Sequence, residues 1–178
     1  SNVLGTHTVH QYTCKYLVYA VGQRCNLRRL DVVGEDLPFV ANSYDKPEDF
    51  QGDRVVVVGG GRSADWTATE LYDAGKQVFN VLRQPFESHW RLISDSRRGL
   101  PYYARIAEII ESQDPRFQTF YQTHVSEIRA NGPFGLVTIE AQGVNRDLET
   151  VHVILQIGGR VDYSLFEGFS AFEQVEKY

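Results

Sequence analysis

The stretch Arg54 to Arg83, RVVVVGGGRSADWTATELYDAGKQVFNVLR, restricts the fold more than any other part of the chain. Val55 to Val58 are four consecutive β-branched residues, the pattern of a parallel strand buried on both faces. Gly59, Gly60 and Gly61 follow at once, and Ser63-Ala64 opens a helical segment. Ala64, Ala68 and Leu71 recur at i, i+4 and i+7, which gives that segment one small apolar face. Gly75 stands where a helix-ending glycine is expected, and Val78 to Leu82 reads as the next strand. The spacing Gly59-x-Gly61-x-x-Ala64 between a strand and a helix fits the G-x-G-x-x-G/A dinucleotide fingerprint. Gly59 permits the tight turn, Gly61 lets backbone approach a pyrophosphate, and Ala64 lets the helix lie close on the strand. The helix start offers free N–H groups and a positive dipole end to phosphate.

Composition sets outer bounds. The 178 residues carry a net charge of −5, so no basic field argues for nucleic acid or an anionic membrane surface. No apolar run approaches the roughly 20 residues of a membrane span, and the start carries no signal-peptide pattern. Cys14 and Cys25 fit neither a C-x-x-C redox pair nor a zinc spacing, and are expected to be buried or half-buried thiols in a reducing, cytoplasmic setting. His7 and His10 fall on opposite faces of an expected strand, which disfavours a shared metal, and no other cluster has metal-ligand spacing.

In chain order, Thr6–Thr13 and Lys15–Ala20 read as strands, and Arg24–Gly52 as an irregular crossing with turns at Val33-Gly34-Glu35-Asp36 and Ser43-Tyr44-Asp45. Gln84–Gly99 reads as irregular, Pro101–Glu111 as a helix and Phe117–Gln122 as a strand. Val125–Ala130 and Leu136–Ala141 flank a turn at residues 131–135 and read as an antiparallel pair; Val151–Ile157 is a buried strand ending at Gly158-Gly159. The expected fold is α/β: a Rossmann-like parallel sheet with helices and an inserted antiparallel β element covering one face.

Several segments carry a family resemblance. Tyr16 to Gly22 (YLVYAVG) resembles the "lvvATG" exit from a flavin domain, with Val21 in place of Thr. Gly34-Glu35-Asp36 resembles the "pGe" crossing, Val55–Ala64 the NAD(P)H fingerprint, and Val153–Asp162 the strand that closes the nucleotide domain, with Val161 in place of Pro. In this order they resemble the middle of a two-dinucleotide-domain flavoprotein, the group of thioredoxin-reductase-like enzymes, related ferredoxin–NADP reductases and flavin-containing monooxygenases. The resemblance implies a domain plan in which residues 1–50 are flanking strands and crossing segment of a FAD domain, 51–158 an NAD(P)H-binding domain, and 159–178 a return segment. The flavin fingerprint would precede residue 1, and Gly52-Asp53 precedes the nucleotide strand, so FAD is expected only in a longer parent. The C-x-x-C dithiol of thioredoxin reductases is absent, which disfavours disulfide reduction by that route.

At the end of the second strand an NAD-preferring domain carries an acid for the ribose 2′-hydroxyl. Here Arg83 follows Val81-Leu82, and a guanidinium suits a 2′-phosphate. Related reductases carry "HRR" and a further Arg; Arg83 matches the first, Gln84 replaces the second, and Arg91 is the candidate third. The resemblance thus implies NADPH held by Gly59, Gly60, Gly61, Arg62, Ser63, Ala64, Arg83, Gln84, Arg91, Ile157 and Gly158. No catalytic acid–base pair stands out: Asp65 and Glu70 do not face one another, and His89, the one histidine near the site, reads as a loop residue packing on a neighbour. The expected role is to hold the nicotinamide for hydride transfer to a flavin, as a reductase, as a monooxygenase, or with no catalysis as a nucleotide-sensing module. The electron acceptor is open, and the marginal strands of residues 1–30 either stay loosely ordered or pair with a second copy as a homodimer.

Overall fold

The computed structural model describes residues 13–16, 18, 26–96 and 98–160. The elements run β1 (Val40–Ala41), β2 (Arg54–Val58), α1 (Arg62–Asp73), β3 (Gln77–Val81), α2 (Phe86–Ser96), α3 (Pro101–Ser112), β4 (Phe117–Phe120), β5 (His124–Asn131), β6 (Phe134–Ala141), β7 (Val144–Thr150) and β8 (His152–Leu155). One sheet has the order β1-β8-β2-β3-β4 with every neighbouring pair parallel; the other is antiparallel, β5-β6-β7. The valine strand is central, with Val57 in register between Asn80 of β3 and Ile154 of β8.

The valine run works because both its faces are covered. Val55 and Val57 pack with Ala64, Ala68 and Leu71 of α1, Ile93 of α2 and Tyr103 and Ile106 of α3. Val56 and Val58 pack with Val125, Ile128, Val137, Ile139 and Leu148 of the antiparallel sheet. Alternating side chains along one strand therefore join two separate cores. Full burial of each valine contributes about 1.5–3 kcal/mol. The order is three layers: helices, parallel sheet, antiparallel sheet.

Helix α1 ends as its sequence requires. Gly75 takes φ +87°, its N–H donates to the Tyr72 carbonyl at 2.9 Å, and the Lys76 N–H donates to Leu71 at 3.1 Å. This is a Schellman stop, for which glycine carries no Cβ penalty.

The structure departs from the sequence reading at several points. Gln84–Gly99 is not irregular: Phe86–Ser96 forms α2. The His89 N–H donates to the Pro85 carbonyl at 3.2 Å, which places Pro85 just ahead of the first turn, where its missing N–H is no loss. The buried stripe of α2 is only His89 and Ile93, too thin to show as a period. The inserted element has three strands, because β7 pairs along the outer edge of β6 with Val144–Asp147 exposed. Strand β4 stops at Phe120, since Gln122 adopts φ +50°. Cys14 is exposed, not buried. The strands expected at Thr6–Thr13 and Lys15–Ala20, and the tail beyond Arg160, lie outside the described residues save for short fragments.

The crossing segment is fastened to the antiparallel sheet. Gly34 (φ +84°) passes so close to β5 that a Cβ would collide with the Ile128 carbonyl. The Ile128 N–H donates to the Val33 carbonyl at 2.8 Å. Glu35, 3% exposed, accepts from the backbone N–H groups of Leu30 and Asp31 at 2.8 and 2.9 Å.

Candidate functional site

The carboxyl ends of the parallel strands gather the fingerprint and its neighbours. Strand β2 delivers Gly59, β3 delivers Arg83, β8 delivers Ile157 and Gly158, and β4 leads into Tyr121 and Gln122. In sheets of this kind ligands bind outside the carboxyl ends, where strand order reverses, and β2 has β3 on one side and β8 on the other.

The three glycines do three different things. Gly59 has φ +142°, its N–H donates to the Val81 carbonyl at 3.0 Å, and a Cβ there would collide with the Gln156 carbonyl. It is a fold residue. Gly60 is covered: a Cβ would meet Gln84 Nε2 and Leu82 Cδ2, each at 2.8 Å. Gly61 caps α1 in extended geometry (φ −107°), and a Cβ there would meet nothing within 4 Å. The space over this position is open. The Asp65 N–H is the first α1 amide bonded to the Gly61 carbonyl, at 3.0 Å, so the amides of Arg62, Ser63 and Ala64 precede the helical ladder. These residues fit a dinucleotide phosphate group.

The sequence-predicted residues divide by position. Arg62 and Ser63 are exposed at the helix start, and Ala64 is fully buried beneath. Gln84 folds back: its Nε2 donates to the Gly60 carbonyl at 2.8 Å, so it clasps the glycine turn. Arg83 is exposed and lines a cavity of about 220 Å³ with Gln122, Thr123 and His124. Arg91 is exposed on α2. Ile157 is half-buried, and Gly158 (φ +82°) is exposed while its carbonyl accepts from the Arg28 N–H at 3.0 Å. Among the described residues no group of His, Cys, Asp and Glu is placed to hold a metal ion.

Asn80, Tyr103, Tyr121 and His124 escaped the sequence reading, and His89 stands elsewhere than expected. Asn80, fully buried in β3, donates to the Gly59 and Val57 carbonyls at 3.2 Å each once its amide nitrogen is turned toward them. His89 is no loop residue: it is fully buried on α2, and its Nε2 donates to Asp65 Oδ1 of α1 at 2.8 Å. The Tyr121 hydroxyl lies 3.4 Å from the other ring nitrogen, and burial pushes that phenol up to about 12. Asp65 Oδ2 and the Tyr103 hydroxyl are buried without a hydrogen-bond partner, and burial also raises the Tyr103 phenol. His124 is the fourth, and it makes His89 not the sole histidine at the site. Residues so far apart along the chain give no local signal; an aspartate beside the buried Ala64–Ala68 stripe was the one available hint.

Comparison with known proteins fits this geometry. A family profile described as pyridine nucleotide-disulphide oxidoreductase matches residues 3–177. A ferredoxin–NADP reductase from Ignicoccus hospitalis is 44% identical over 82 residues, which are 46% of this chain and 27% of that protein. The bacillithiol disulfide reductase of Bacillus cereus superposes with a TM-score of 0.67 at 22% identity, covering 82% of this chain and 41% of that one. Thioredoxin reductase from Streptococcus pyogenes superposes with a TM-score of 0.52 at 21% identity, covering 74% and 40%. The chain thus spans less than half the length of each of these relatives. No helix among the described residues is long and apolar enough to cross a membrane. The chain belongs to the pyridine nucleotide-disulphide oxidoreductase family, flavoproteins built on two dinucleotide-binding domains.

Proposed function

We propose that residues 51–158, together with the edge strand Val40–Ala41, form the NADPH-binding domain of a flavin-dependent oxidoreductase. The observation that carries this reading is the pairing of an open cradle at Gly61 with a basic cavity at Arg83, both at the carboxyl edge of one parallel sheet. The amides of Arg62, Ser63 and Ala64 would hold the pyrophosphate at the N-terminus of α1. Asn80 and Gln84 keep the turn in shape from beneath and above. Arg83 would bind the 2′-phosphate, and Ile157 and Gly158 would border the nicotinamide half at the end of β8. When bound, the nicotinamide supplies hydride to FAD held by other parts of a complete protein. The chain's own contribution is binding and orientation.

A soluble, cytoplasmic reductase with an unidentified electron acceptor is the whole-protein setting that this reading implies. Calorimetric titration of the chain with NADPH and NADH tests it. NADPH is expected to bind, and more tightly than NADH; binding of neither, or of both equally, would overturn the reading.

A further inference from the structure

The cavity beside Arg83 has a second basic wall. His124 opens β5 and lines the cavity together with Arg83, Gln122 and Thr123. The placement is built in. The Thr123 N–H donates to the Leu82 carbonyl at 2.9 Å, and the Gln122 N–H donates to the Gln84 carbonyl at 3.1 Å. Two backbone bonds thus tie the segment carrying His124 to the segment carrying Arg83. Gln122 makes the turn with φ +50°, a conformation that non-glycine residues adopt sparingly and that recurs at ligand sites. Thr123 turns its hydroxyl inward to the Tyr121 carbonyl at 2.7 Å, so it offers no side-chain donor to the cavity.

A carboxylate neighbours His124. Glu140 of β6 sits opposite His124 in register, and its Oε2 lies 3.6 Å from His124 Nε2. Both side chains are solvated, at 53% exposure for His124 and 37% for Glu140, so the pair is weak and its partners can exchange. A dianionic phosphate reached by both Arg83 and His124 would gain two donors and feel repulsion from Glu140.

We propose that His124 is a specificity-determining residue for the adenosine 2′-phosphate, acting with Arg83 as a second donor, and that Glu140 holds its contribution down. This rests on the NADPH reading above and extends it to a residue outside both the fingerprint and the end of β3. Glu140 competes for the imidazole while the phosphate is absent, and repels the phosphate when it is present. Removing either side chain therefore changes affinity in opposite directions, which packing alone would not produce.

The test uses the chain with two probes, adenosine 2′,5′-bisphosphate and adenosine 5′-monophosphate, titrated against the unmutated protein, His124→Ala, His124→Lys, Glu140→Gln and Arg83→Ala. Thermal melts confirm that each variant is folded, as expected for exposed positions. His124→Ala should weaken the bisphosphate roughly three- to ten-fold, with the monophosphate unchanged. His124→Lys should restore part of the loss, and Glu140→Gln should strengthen the bisphosphate above the unmutated level. If Arg83→Ala lowers the bisphosphate preference while the His124 and Glu140 variants leave it unchanged, the role of His124 is overturned and the NADPH reading stands. If the unmutated chain shows no preference for the bisphosphate, or binds neither probe, the NADPH reading falls and the role of His124 falls with it.

Discussion

His89 and Asp65 form a hydrogen bond of 2.8 Å with no exposed side-chain surface on either residue, joining α2 to the first turn of α1. Asp65 follows the fingerprint directly, and His89 begins the ladder of the helix that follows Arg83. The pair therefore ties the helix that follows the glycine turn to the helix that follows Arg83. Buried polar pairs contribute little net stability against apolar replacements, but breaking one leaves an uncompensated group.

From this follows an asymmetry in urea unfolding. His89→Leu strands Asp65, whose Oδ2 already lacks a partner, and should cost about 3–5 kcal/mol. The double variant Asp65→Leu/His89→Leu should be more stable than His89→Leu alone. Additive losses from the two substitutions would show that the residues do not act as a pair.

Gly59 and Gly61 should separate fold from binding. Gly59→Ala places a Cβ against the Gln156 carbonyl in a backbone region that alanine disfavours, so its melting temperature should drop by several degrees, corresponding to a loss of about 1–3 kcal/mol. Gly61→Val meets open space in extended geometry and should lose about 1 kcal/mol or less through its poorer cap. It should nonetheless lose NADPH and NADH alike, because the side chain fills the pyrophosphate cradle. Nucleotide binding by Gly61→Val at the unmutated level would place the pyrophosphate elsewhere.

His152 predicts a slope in stability against pH. Its ring lies edge-on to Phe50 with centroids 5.4 Å apart, and burial, with a smaller push from Lys76, lowers its pKa against an opposing hydrogen bond at Gln51. A depressed folded-state value means the neutral form is favoured by folding. Its contribution is present above the unfolded value of about 6.5 and is lost as pH falls through the folded value. Unfolding free energy should decline between about pH 7 and 5, and less steeply in His152→Gln. Identical slopes for the two proteins would remove His152 as the cause.

Much of this was legible because it is local. The valine run, the glycine turn and Gly75 specify a strand, a turn and a helix stop within a few residues, and all three stand where the pattern puts them. What was hidden depends on distant partners. Strand β7 (VNRDLET) is mostly polar and solvated, and exists because β6 offers it an edge. Helix α2 buries only two residues, one of them a histidine that a hydrophobic count ignores. Gln84 was legible as a departure from a family arginine, but not its turn back onto Gly60, since that depends on the tertiary approach of two loops. Exposure of Cys14 likewise depends on what surrounds it, which its spacing from Cys25 does not encode.

The central claim is that Arg83 reads the 2′-phosphate. The most direct measurement is the dissociation constant of NADPH and of NADH for Arg83→Ala beside the unmutated chain. NADPH should weaken roughly ten- to a hundred-fold, about 1.5–3 kcal/mol for a charge-assisted contact, while NADH hardly changes. Equal losses for the two nucleotides, or no loss of NADPH, would contradict the account and return Arg83 to a solvated surface charge.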